Sequence, residues 1–146
     1  MSHARKLIVL LVEDEPADAH LVRLALQEGQ VLVDLHHVCD GVDAFAFLRH
    51  EGDYANVPMP DLILLDLNMP RMDGRQFLQK IKLDPALHQV PVVVLTTSDA
   101  ETDMVQSYDN FAAGFIVKPV DVDDFIKVVR GISEYWVNIV RLPKHD

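Results

Sequence analysis

An α/β fold with a doubly wound, five-stranded parallel sheet is predicted by three features of this 146-residue chain. Short runs rich in Val, Ile and Leu recur along it, helical stretches separate them, and acidic or polar residues stand where the runs end. Unbroken apolar runs of about four to eight residues mark strands buried on both faces. Strand–helix alternation with right-handed crossovers lays such strands parallel, under helices on both sides.

Leu7–Val12 (LIVLLV) is the first strand. Pro16 suits the first turn of the following helix, where its missing N–H costs nothing. That helix runs to about Gln27, with Gly29 as its C-cap. Val31–Val38 alternates in polarity and reads as a second, more exposed strand. Asp40-Gly41 signals a turn, and Val42–His50 a helix with Val42, Phe45, Ala46 and Leu48 inward. Glu51–Pro60 is polar and holds two prolines, so it is a loop.

Asp61–Asp66 is the third strand. Asn68–Gly74 is a loop ending in an Asp-Gly turn, and Gln76–Leu83 a helix stopped by Asp84-Pro85. Val92–Thr96 is the fourth strand. Ser98-Asp99-Ala100-Glu101 fits a capping box that starts the next helix. Gly114–Val117 is the fifth strand. Asp121–Val140 is a long last helix, its apolar residues spaced three and four apart from Val122 to Val140. The expected strand order is 2-1-3-4-5, as in flavodoxin-like folds.

Length and pattern predict one domain over residues 1–146, with short tails at 1–5 and 141–146. The net charge of −10 argues against nucleic acid as a direct partner, since a DNA-binding face must be basic. A single cysteine, Cys39, excludes an internal disulfide framework and fits a reducing compartment. The six-residue apolar run near the N-terminus is too short for a signal-peptide core or a membrane span. A cytoplasmic protein with no membrane partner is expected.

In open parallel sheets the functional site lies beyond the carboxyl ends of the strands. There the sequence places Glu13-Asp14, Asp66, Thr96-Thr97-Ser98 and Lys118-Pro119. Carboxylates a few ångströms apart need a proton or a cation between them. Hard oxygen donors in small number suit Mg²⁺, which keeps several waters. Two charges from the ion and one from Lys118 offset those of Glu13, Asp14 and Asp66. A phosphoryl group, adding about −1.5 to −2, could then be held by the metal, an ammonium, a hydroxyl and backbone N–H groups. A carboxylate can accept phosphate as an aspartyl phosphate. Asp66, at the end of the central strand, is the best placed. Glu13 and Asp14 would hold the metal, and Lys118 would pair with the phosphoryl oxygens.

Glu13-Asp14, Asp66 within Leu65-Asp66-Leu67-Asn68-Met69-Pro70, Asp73-Gly74, Thr96 and Lys118-Pro119 occur together in one order and spacing. In these residues the chain resembles the receiver domains of response regulators in two-component signalling, over nearly its whole length. The resemblance implies that Asp66 accepts phosphate from the phosphohistidine of a sensor histidine kinase. It implies Mg²⁺ bound by Asp14, Asp66 and the backbone carbonyl of Asn68, with Glu13 acting mostly through water. Thr96 would move to bond the phosphoryl group, Phe115 would swing inward with it, and a cis Lys118-Pro119 bond would aim the ammonium. Val90–Ser98, Tyr108–Lys118 and Ile132–Pro143 are similar to small receivers that serve bacterial and cyanobacterial phytochrome kinases. Those often carry Cys-Tyr where this chain has Gly114-Phe115, so the switch aromatic here has no hydroxyl.

Blander readings compete at single positions. Asp14 could be a helix N-cap, Thr96 an ordinary buried threonine, and Ser98 a cap rather than a phosphate neighbour. Asn68 and Ser98 lie where receivers tune hydrolysis of the acyl phosphate, and are expected to set its lifetime. His36 and His37 are adjacent on a strand and face opposite ways, so they are no metal pair. Cys39 reads as a small apolar filler near a turn. Val128 and Tyr135 lie off the inward stripe of the last helix. Together with Trp136 and Ile139 they suggest a patch that pairs two copies.

The leading expectation is a phosphorylation switch that contacts an unknown downstream protein, with a homodimer and light as the stimulus. A haloacid-dehalogenase-type phosphatase would need a second Asp two residues after the nucleophile. Asn68 stands there instead, so no turnover enzyme is expected. The alternative is a phosphate-independent interaction or dimerisation module of receiver fold.

Overall fold

The structure is a computed structural model that describes residues 6–28, 33–67, 74–96 and 114–117. Among these, five strands form one parallel sheet: β1 (Leu7–Val12), β2 (Val33–Val38), β3 (Leu62–Asp66), β4 (Val92–Thr96) and β5 (Gly114–Val117). Their order is β2-β1-β3-β4-β5, the flavodoxin-like order expected. Three α-helices are described: α1 (Pro16–Glu28), α2 (Gly41–Leu48) and α3 (Gly74–Leu83). None is long and apolar enough to cross a membrane.

The unbroken apolar runs follow from burial on both faces. Leu10, Val12, Ile63, Leu65, Val92 and Val94 face one way, against Phe45, Phe47 and Leu48 of α2 and Phe77, Leu78 and Ile81 of α3. Leu7, Val9, Leu11, Leu62, Leu64, Val93 and Leu95 face the other way, against Ala19, Val22 and Leu26 of α1. Edge strand β2 is only half covered.

Several boundaries differ from expectation. Asp61 is not in β3. Its carboxylate accepts the Ile8 N–H at 3.0 Å while its own N–H donates to the Ile8 carbonyl at 2.7 Å, so it pins β1 to the entry of β3. Helix α3 starts at Gly74 rather than Gln76, and Gly52–Tyr54 forms one 3-10 turn inside the expected loop. Helix α2 starts at Gly41, because the Asp40 carboxylate accepts the Asp43 N–H at 2.9 Å and caps it. That phase puts Gly41, Ala44, Phe45 and Leu48 on the buried stripe, with Phe47 beside them. Val42, expected inward, is a large apolar residue left exposed, and Ala46 is only half-buried. Cys39, expected as a filler, is also exposed, since it lies between the last residue of β2 and the α2 cap.

Aromatic rings fill the α2 side. Phe45 meets Phe77 at 4.9 Å between centroids, and Phe47 lies between His36 at 5.3 Å and Tyr54 at 5.5 Å. Burial pushes the Tyr54 phenol above its ordinary range, with help from nearby carboxylates led by Asp43. It therefore stays protonated at neutral pH. The expected Gly29 cap, the start of the second strand at Val31, the helix after Ser98 and the helix over 121–140 lie outside the described residues.

Candidate functional site

Strand register brings the acidic residues together. Val12 pairs with Leu65, so the next residues along the two strands, Glu13 and Asp66, stand side by side. The pleat decides their face. Glu13 continues the row of Leu7, Val9 and Leu11, and Asp66 the row of Leu62 and Leu64, so both lie on the α1 side. Glu13 and Asp66 are buried, at 0% and 3% exposure, while Asp14 is exposed. One carboxylate oxygen from each of the three lies within 4.8 Å of the others.

The backbone holding this cluster is fixed from both neighbours. The Glu13 N–H donates to the Val38 carbonyl at 3.0 Å. The His37 ring, in its Nε2–H form, donates to the Glu13 carbonyl at 2.7 Å. The Glu13 carboxylate accepts the Glu15 N–H at 3.3 Å, which orients it across the start of α1. From sequence His37 is a surface or half-buried strand residue with no assigned role. Its one signal was its place near the end of β2, which becomes informative only once β2 is known to pair with β1.

Thr96 is the last residue of β4 and fully buried. It stands one position beyond Leu95, the partner of Asp66. Thr96 pairs in turn with Val117 on β5, the residue before Lys118 in sequence. Phe115 lies on β5, paired with Val94. Lys118, Asn68 and Ser98 lie outside the described residues, as do Val128, Tyr135, Trp136 and Ile139.

The donor set fits a hard divalent ion. Octahedral coordination at about 2.1 Å places ligand oxygens about 3 Å apart when adjacent and about 4 Å when opposite. One carboxylate oxygen from each residue lies within 4.8 Å of the others, so small side-chain adjustments bring all three onto one ion. Two of the three are buried, where close like charges are costly without a cation. A measurable linkage follows. Mg²⁺ or Mn²⁺ at about 100 times its dissociation constant should stabilise the chain by about 2.7 kcal/mol. For a domain of this size that raises Tm by roughly 5–10 °C, and EDTA should reverse the shift. A melting curve unmoved by millimolar ion would show that the cluster holds none.

The chain is similar to known proteins over most of its length. Residues 9–130 match the family described as the response regulator receiver domain. Response regulator Rcp1 of Synechocystis sp. is 44% identical over 136 residues, spanning 93% of this chain and 92% of that protein. The crystal structure of the phosphorylated cyanobacterial phytochrome response regulator RcpA superposes with a TM-score of 0.77 at 45% identity, covering 91% of this chain and 95% of that one. The Mn²⁺-bound form of Rcp1 gives 0.75 at 43% identity, covering 90% and 95%.

Proposed function

The chain belongs to the response regulator receiver domain family of two-component signalling, and from that premise we propose that Asp66 is its phosphoacceptor and Mg²⁺ its metal. The observation that carries this is the place of Asp66: last residue of the central strand, buried, and within reach of two further carboxylates. An Asp66 oxygen attacks the phosphorus of a phosphohistidine. A P–O bond forms, the P–N bond breaks, and the imidazole leaves and takes up a proton. Glu13, Asp14, Asp66 and the Asn68 carbonyl would hold the ion, which when bound offsets charge on the phosphoryl oxygens. Lys118 pairs with the same oxygens, and Thr96 donates its hydroxyl to the adduct. Phe115 follows Thr96 and reshapes the surface around β5. Water later cleaves the acyl phosphate and restores the carboxylate, at a rate set by Asn68 and Ser98.

The donor is a sensor histidine kinase. Similarity to the cyanobacterial phytochrome response regulator RcpA supports a phytochrome in that role. The chain acts as a cytoplasmic switch read by a downstream protein, and not as a turnover enzyme on an external substrate. It pairs with a second copy through Val128, Tyr135, Trp136 and Ile139. Sedimentation at micromolar concentration should find a dimer, and a monomer there would rule the pairing out.

Incubation with a small acyl phosphate donor and Mg²⁺ tests the central claim. A covalent adduct of one phosphoryl group is expected. Its decay after donor removal should change when Asn68 or Ser98 is exchanged. Absence of any adduct would favour a phosphate-independent interaction module.

A further inference from the structure

Gly74 opens α3, and its N–H donates to the Leu67 carbonyl at 2.8 Å. A Cβ at this position would stand 2.6 Å from the Leu67 Cα, 2.7 Å from the Asp66 carbonyl oxygen and 3.0 Å from the Leu67 Cδ2. Non-bonded carbons settle at about 3.5–4.0 Å, so the two backbone atoms would have to withdraw by roughly 1 Å. The requirement is for space and not for backbone conformation, since Gly52 is the glycine with positive φ among the described residues.

Neither side of this contact can yield freely. On the helix side, Phe77, Leu78 and Ile81 are buried against the sheet. On the strand side, Asp66 is paired with Leu95 and Leu67 is fully buried. The Leu67 N–H bond to the Leu95 carbonyl is long, at 3.4 Å, and so restrains this peptide only loosely. Pressure from a side chain at position 74 would therefore be released by movement of the Asp66–Leu67 peptide. That movement takes the Asp66 carboxylate out of the cluster it forms with Glu13 and Asp14.

The geometry points to Gly74 as a positioning residue for phosphoryl acceptance: its lack of a side chain lets α3 press directly on the Asp66–Leu67 peptide and hold the Asp66 carboxylate among the metal-binding acids. This rests on the reading of Asp66 as the acceptor. Misplacement of a reacting group by about 1 Å can slow a reaction about 100-fold.

Gly74→Ala tests it through three measurements: the maximal rate of adduct formation from an acyl phosphate with saturating Mg²⁺, the Mn²⁺ dissociation constant without donor, and thermal unfolding. We expect the rate per folded molecule to fall roughly 10- to 100-fold and Mn²⁺ binding to weaken several-fold. Adding Leu67→Ala to Gly74→Ala clears only the Cδ2 contact and should restore neither. A folded Gly74→Ala with wild-type rate and Mn²⁺ affinity overturns the assignment, as does recovery of both by Leu67→Ala. If Gly74→Ala unfolds in buffer, an osmolyte that favours the compact state returns a folded population, and the same two readings decide. A wild-type chain that binds Mn²⁺ yet takes no phosphate sinks the acceptor reading, while the Mn²⁺ titration still judges Gly74.

Discussion

Asp66→Asn should reduce phosphoryl incorporation from an acyl phosphate donor to background. An amide oxygen is a poor nucleophile beside a carboxylate, and its product could not be a stable acyl phosphate. The exchange preserves volume, and Asp66 is 3% exposed within a packed strand end, so no cavity results. It also removes one of three clustered negative charges. In metal-free buffer the variant should therefore be as stable as the wild type or more so, because close buried like charges cost stability. Loss of labelling without loss of Tm separates the chemical role of Asp66 from a structural one. Labelling of Asp66→Asn at the wild-type level would move the acceptor to another residue.

Phe77→Ala should be the most damaging substitution in the described core. Phe77 is fully buried and packs its ring on Phe45 at 4.9 Å, tilted by 52°. Truncating a buried Phe costs about 3–5 kcal/mol, against about 5–15 kcal/mol for a whole domain. Tm should fall by roughly 10–20 °C. Leu83 is the contrast. It lies on the same helix but is 81% exposed, so Leu83→Ala should stay within about 0.5 kcal/mol. Equal costs for the two, read from denaturant midpoints, would refute the packing of α3 described above. Phe77 also lies on the first turns of α3 beyond Gly74, so its loss should loosen the contact of Gly74 with the Asp66–Leu67 peptide and slow labelling too.

Sequence legibility followed the number of physical constraints at each position. Strands β1, β3 and β4 are unbroken apolar runs because both faces are covered. Their shortness, Val and Ile content and flanking turn residues distinguish them from buried helix segments, and the sequence places their ends to within a residue. Helix α2 was found but its phase was not, since a one-residue shift in its start rotates the helix by 100°. The Asp40 cap decides that start, and Val42 moved from the core to the surface as a result. Asp61 reads from sequence as part of β3, since an acid beside an apolar run gives no sign that it will bond a backbone fifty-three residues away.

The amino-acid order alone determined the fold class, the strand order and the roster of acids at the strand ends, because period, burial and chain connectivity act locally or through simple topology. Which of those acids meet was decided only by folding. The pairing of Val12 with Leu65 puts Glu13 beside Asp66, and β2 brings His37 onto the Glu13 carbonyl. The close approach of Gly74 to Asp66 and Leu67 arises the same way. Such contacts depend on register and helix placement summed over the whole sheet, and no short stretch of sequence encodes a distance between residues that folding brings together.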